Sequence, residues 1–274
     1  MIEKATIIYT IIDDILKAGR HREDIRQKMT DSEVITTALI AAIVFSGNIE
    51  RAKVALYETG LIPDMLEKSR LSRRIHAISS LLETIFFQLG MVFKKSNIHM
   101  EYVLDSFPVA VCDNIRIKRS CLIKGEEFRG YIVSKRRYFY GVKVHIISTC
   151  DGIPVEIVFV PGARNDSVAL YELPFDLPEG SEVYTDSAYT NYAIEDELCE
   201  NYKIKLCPQR KVNSKRRQWW VVESYKRYMR KRVETVFSQI TNLFPKKIHA
   251  VTFEGFLIKI FLFVLGFTMD KAFC

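Results

Sequence analysis

Tyr138-Phe139-Tyr140-Gly141-Val142-Lys143-Val144-His145-Ile146-Ile147-Ser148-Thr149, then Cys150-Asp151-Gly152, then Val155 to Val160, reads as a β-hairpin. The first arm alternates, with Phe139, Gly141, Lys143 and His145 at every second position. Asp151-Gly152 is a tight-turn dipeptide, and Pro161-Gly162 ends the second arm. Working outward, Tyr102-Val103-Leu104-Asp105 forms a short upstream strand, separated from the hairpin by a polar, basic, irregular insert over residues 112–137. Downstream, Asn165-Asp166 is placed to cap a helix through Leu173. Val183 to Thr185 is a strand, Ala193 to Asn201 a helix and Ile204 to Cys207 a further strand. Ser224 to Phe244 is a long helix, stopped by Pro245.

The order strand, insert, hairpin, helix, strand, helix, strand, helix predicts an α/β fold. It is a mixed sheet with flanking helices, as in the ribonuclease H arrangement. Residues 1–98 read as an all-helical N-terminal domain. Thr30-Asp31-Ser32-Glu33 has the form of a capping box ahead of Val34 to Phe45. Ile49 to Glu58 follows, Pro63 opens the next helix, and Ser69 to Arg74 leads into Ile78 to Phe93. A helix-turn-helix in this part would make Arg70, Arg73 and Arg74 phosphate contacts; a solvated helix face is the alternative. The expected division is 1–98, helical, and 99–274, ribonuclease H-like with the insert and the C-terminal helices.

Charge is unevenly placed. The net charge is +7, yet Lys203 to Arg232 holds twelve Lys/Arg and one acid, Glu223. A concentrated basic block implies a polyanionic partner, nucleic acid above all. Arg210, Lys211, Lys215, Arg216, Arg217, Arg227, Arg230 and Lys231 are its DNA-contact candidates. Trp219, Trp220, Tyr225 and Tyr228 interleave the charge, which argues against a disordered tail. The two tryptophans either stack on unpaired bases or anchor the basic loop to the core. Arg116, Lys118, Arg119, Lys135, Arg136 and Arg137 make the insert basic as well. Six scattered cysteines without a CxxC pair fit reduced, cytosolic thiols. Glu3 and Lys4 interrupt the apolar start, and Lys259 interrupts the short run Phe256 to Met269, so neither a signal peptide nor a membrane span is expected.

Three acids stand where phosphodiester chemistry needs them. Asp105 and Asp186 each end an apolar strand, and Glu234 lies in the basic helix. Carboxylates on rigid strand ends suit Mg²⁺, and two divalent ions about 3.5–4 Å apart serve phosphodiester hydrolysis. Met229, Val233, Val236, Phe237, Ile240 and Phe244 form a buried stripe, with Glu234 at its rim and Arg230 one turn away. A plain surface pair between Arg230 and Glu234 is the alternative. Asp113, Asp151 and Asp166 lie in turn-like sequence and read as caps or turns.

Six stretches in order resemble bacterial insertion-sequence transposases of the DDE class, most closely the insertion-sequence 982 family. They are Leu104-Asp105-Ser106-Phe107-Pro108-Val109, Phe139 to His145, Asp151 to Pro154, Pro161 to Asp166, Thr185-Asp186-Ser187-Ala188-Tyr189 and Arg232 to Ser238. The resemblance spans roughly residues 25 to 250. It implies that Asp105, Asp186 and Glu234 are catalytic and bind two Mg²⁺ or Mn²⁺ ions. Water would cut double-stranded DNA at the terminal inverted repeats, and the freed 3′-hydroxyl would attack target DNA. Lys143 would contact phosphate, and His145 would position phosphate or water or serve structurally. A homodimer or higher multimer on DNA, acting in the cytoplasm at the nucleoid, would follow. Position 227 is Arg where many relatives carry Tyr, and the downstream basic role falls to no obvious residue, Lys246 and Lys247 being nearest. Two other readings remain: a ribonuclease H-like nuclease without strand transfer, and an inert DNA-binding derivative.

Overall fold

The computed structural model describes residues 1–112, 114–132, 136–211, 214–216 and 218–274, apart from the side chains at 114, 115, 232 and 233. Asp113, Lys135 and Arg217, named above, fall outside the described residues. The chain divides into two units, Met1–Gln88 with Ile240–Cys274, and Leu89–Gln239. The C-terminal helix therefore groups with the N-terminal helices, whereas the sequence reading grouped it with the sheet.

The first unit is helical. It contains α1 (Ile2–Ala18), α2 (Asp31–Phe45), α3 (Ile49–Glu58), α4 (Lys68–Ala77), most of α5 (Ser79–Ser96) and α9 (Phe253–Phe273). The capping box forms: the Thr30 hydroxyl accepts from Glu33 N–H while Glu33 accepts from Thr30 N–H. α9 is apolar on all sides and is buried from Ile260 to Thr268, the state an all-round apolar helix requires. Gly266 lets it approach α2, because a Cβ there would sit 3.0 Å from Ile43. No helix starts at Pro63; residues 61–64 are bends and turns, and α4 begins at Lys68. Among the described residues no single helix is long and apolar enough to cross a membrane.

The second unit is built on a six-stranded mixed sheet, β1 (Glu101–Cys112), β2 (Arg129–Ile132), β3 (Arg137–Thr149), β4 (Pro154–Pro161), β5 (Glu182–Thr185) and β6 (Lys205–Pro208). The order is β2-β3-β1-β5-β6, with β4 also on β3. β3 pairs antiparallel with β1, β2 and β4, while β5 and β6 continue parallel from β1. This is the ribonuclease H-like arrangement the element order predicts. The insert, expected to be irregular, supplies the edge strand β2. On one face, Tyr102, Leu104 and Ile147 pack with Ala169 and Leu170 of α6 (Asp166–Glu172) and with Ile194 and Leu198 of α7 (Tyr192–Tyr202). α8 (Trp220–Leu243) meets the other face: Tyr225 lies edge-on to Tyr184, and Phe237 packs against Phe107.

Candidate active site

The parallel register brings two of the three acids together. β1 and β5 pair through Leu104 and Thr185, so Asp105 and Asp186 follow at the same level on neighbouring strands. Adjacent strands lie about 4.8 Å apart. β1 itself continues past Asp105 to Cys112, so Asp105 ends the pairing with β5 and not the strand. Backbone donors fix both carboxylates. Ser106 N–H donates to Asp105 at 2.8 Å, and Ser187 N–H to Asp186 at 2.6 Å. Burial pushes the Asp105 carboxyl up to about 6; Ser106 N–H and Arg230 oppose this, while the charges of Asp186 and Asp166 add to it.

The third acid arrives from α8. Arg230 Nη1 lies 3.3 Å from Asp186 Oδ1, and its Nη2 lies 3.4 Å from Glu234 Oε1. One guanidinium thus links the sheet acid to the helix acid. Asp105, Asp186 and Glu234 are not drawn within 4.8 Å of one another as a trio. Among the described residues only His21, Glu23 and Asp31 are that close. There Asp31 already takes Arg74 and His21, and its N–H donates to Glu23, so the group is an ion-pair knot within the helical unit. The donor set at Asp105, Asp186 and Glu234 is all carboxylate oxygen, which fits Mg²⁺ or Mn²⁺. Arg230 stands as the cation between two of these acids, marking where positive charge is wanted.

A family model described as "Transposase DDE domain" matches residues 95–249, more than half of the chain. The chain belongs to that family. Comparisons with curated proteins and with solved structures give no match. The matched span of this transposase holds all three acids and Arg230.

Several candidate DNA contacts are placed elsewhere than the sequence suggests. His145 is fully buried, with Nδ1 2.7 Å from the Tyr189 hydroxyl, and cannot reach a phosphate. Lys143 is held by Arg164 O at 2.8 Å and Asp166 Oδ1 at 2.9 Å. Arg210 is buried in a two-pronged pair with buried Glu195, at 2.9 and 2.5 Å. Arg216 takes Asp196 at 2.7 Å, and both arginines lie over the Tyr192 ring. Arg74 is tied to Asp31 and Gln27. Lys211, Lys215, Arg227 and Lys231 remain exposed, as do Arg70 and Arg73. Trp219 and Trp220 are 72% and 65% exposed, so they do not anchor the loop to the core.

Sequence reasoning passed over Asp166. Its side chain faces Lys143 and does not cap a helix; Asn165 holds the N-cap position. The available signal was the alternation along β3, which puts Lys143 and His145 on the face that α6 covers.

Proposed function

We propose that the transposase moves an insertion sequence of the 982 type, with Asp105, Asp186 and Glu234 as its catalytic, metal-holding carboxylates. The observation that carries this is the parallel pairing of Leu104 with Thr185, which Asp105 and Asp186 directly follow, with Arg230 joining Asp186 to Glu234. Two Mg²⁺ or Mn²⁺ ions, when bound, stabilise the attacking and leaving oxygens of an in-line displacement. The chain's own residues orient the site. Ser106 and Ser187 amides hold the two aspartates in one rotamer, and Arg230 tempers the repulsion between carboxylates. Burial pushes the Asp105 carboxyl up to about 6, so without a cation it is only half ionised near pH 6. Lys211, Lys215, Arg227 and Lys231 offer phosphate contacts to the terminal repeats and the target. The reaction is cleavage at the element's ends followed by joining of the 3′-hydroxyl to target DNA, by a homodimer or higher multimer at the nucleoid.

The test uses the full chain, a plasmid bearing the element with its own ends, a second target plasmid, and Mg²⁺. Asp105→Asn, Asp186→Asn and Glu234→Gln should each lower end cleavage by roughly 10²–10³-fold or more, the scale of losing one preorganised electrostatic group. Wild-type cleavage rates in these variants would overturn the assignment. Ends that are cut but never joined to the target would leave a nuclease without strand transfer.

A further inference from the structure

α9 is apolar and buried over most of its length, yet Lys259 sits in it between buried Phe256 and Ile260. Lys259 is half-buried, and its Nζ donates to a backbone oxygen, His249 O; it has no carboxylate partner among the described residues. It lines a cleft of about 450 Å³ within the first unit, together with Lys68 and Lys247 and with Ala38, Ala42 and Phe263. That volume falls in the range of about 300–1,000 Å³ typical of small-ligand sites. Lys68 and Lys247 likewise form no ion pair among the described residues. Glu50 is the one carboxylate on the lining, and Lys53 takes it at 3.0 Å. Burial, and then the charge of Lys68, lowers the Lys259 ammonium below its usual range. α3 and α4 both begin on the lining, at Ile49 and Lys68, and each helix start adds partial positive charge. Three cations thus share one space without an unpaired acid among the residues that line it, and an anion would relieve their repulsion.

We propose that the cleft binds a phosphate ester, with the phosphate on Lys259, Lys68 and Lys247 and the less polar body against Ala38, Ala42 and Phe263. A phosphate presents three strong acceptor oxygens to several cations at once, whereas a carboxylate presents two. Alkyl and aromatic walls add nothing for a bare oxyanion, but they shelter a sugar or a base. The expected source is a nucleotide of bound DNA; a free nucleotide offers the same chemistry. The lining residues belong to the first unit, and Asp105, Asp186 and Glu234 to the second, so the proposal does not rest on those carboxylates.

The experiment measures binding to the full chain in EDTA, so that divalent cations play no part. The probes are inorganic phosphate, adenosine monophosphate and a fluorescent duplex carrying the element's terminal repeat. Wild type is compared with Lys259→Gln, with Lys68→Gln and Lys247→Gln combined, and with Lys95→Gln. Lys95 is an exposed lysine outside the cleft and controls for loss of one charge. Wild type should bind adenosine monophosphate more tightly than inorganic phosphate. Lys259→Gln should weaken that binding by about tenfold or more, the scale of one charge-assisted hydrogen bond, and Lys95→Gln should leave it unchanged. Duplex affinity that falls more in Lys259→Gln than in Lys95→Gln, with adenosine monophosphate competing, would make DNA the source. Loss for adenosine monophosphate alone would make it a free nucleotide. Equal affinities for adenosine monophosphate and inorganic phosphate would overturn the apolar half of the site. If no probe binds more weakly to the cleft variants than to Lys95→Gln, the proposal fails, and the carboxylate reading is untouched. Should Lys259→Gln not fold, the double variant at exposed Lys68 and Lys247 decides by the same comparison.

Discussion

The sheet-borne and helix-borne sides of the candidate site are built differently. Asp105 and Asp186 are partly buried, each pinned by the amide of the next residue, and their spacing is set by strand register. The Glu234 side chain is 58% exposed, and among the described residues its ion pair is with Arg230 one turn away on its own helix. The sheet supplies a pair pinned by backbone amides, while the helix supplies a largely exposed carboxylate held by the Arg230 guanidinium. The cations divide the same way. Arg210 and Lys226 are buried and bound to Glu195 and Glu223, whereas Lys211, Lys215 and Lys231 face solvent. One basic block in the sequence is thus two populations in space, one bound into ion pairs and one facing solvent.

The largest expected effect probes the ion-paired population. Arg210→Ala removes the two-pronged partner of buried Glu195 and leaves it only Arg216 Nη1 at 3.5 Å, so the loss of stability should lie toward the lower end of about 3–5 kcal/mol. Urea unfolding measures it. A loss below about 1 kcal/mol would mean that Arg210 belongs with the surface cations after all.

Next comes the pair on the sheet. Asp105 has a folded pKa of about 6 against an ordinary value of 3.8. A carboxyl with a raised folded pKa binds its proton more tightly when folded. Its contribution to stability is therefore present below about pH 4 and lost as pH rises through 6. Asp105→Asn cannot ionise, so it should melt like wild type at pH 4 and be more stable at pH 7. The gain should be about 1–2 kcal/mol once partial exposure is allowed for. Equal pH profiles for Asp105→Asn and wild type would show that burial does not strain Asp105, and the contrast between sheet and helix acids would lose its energetic basis.

How much of this could be read from the chain follows from sequence distance. The hairpin, the capping box at Thr30 and the bounds of α3 are local, and each formed where propensity and turn chemistry put it. The closeness of Asp105 and Asp186 needed only the inference that their strands are parallel neighbours. The fate of Lys143 was different. Its partner Asp166 lies 23 residues on, across a strand, a turn and a helix start, and turn-like sequence around Asp166 pointed to a cap. Arg210 and Arg216 read as free cations because Glu195 and Asp196, 15 and 20 residues upstream, sit in a helix whose packing the sequence did not disclose. Strand β2 was missed because Arg129 to Ile132 is short, contains Gly130 and lies amid charge. Pro63 suggested a helix start, but no apolar period follows it closely enough to bury a face.

The smallest effect concerns the solvent-facing cations. Lys211, Lys215 and Lys231 are exposed, so replacing each with Ala should change stability by no more than about 0.5 kcal/mol. If they touch phosphates, each loss releases one fewer counterion on binding. The slope of log affinity against log salt should then flatten by about one unit per lysine. A fluorescent duplex carrying the element's terminal repeat, titrated from low to high salt, reads this directly. Arg216→Ala, whose guanidinium is occupied by Asp196, should leave the slope unchanged. A flattening at Arg216 as large as at Lys211 would mean that its ion pair opens when DNA binds. The line between ion-paired and solvent-facing cations would then be drawn by the DNA and not by the fold.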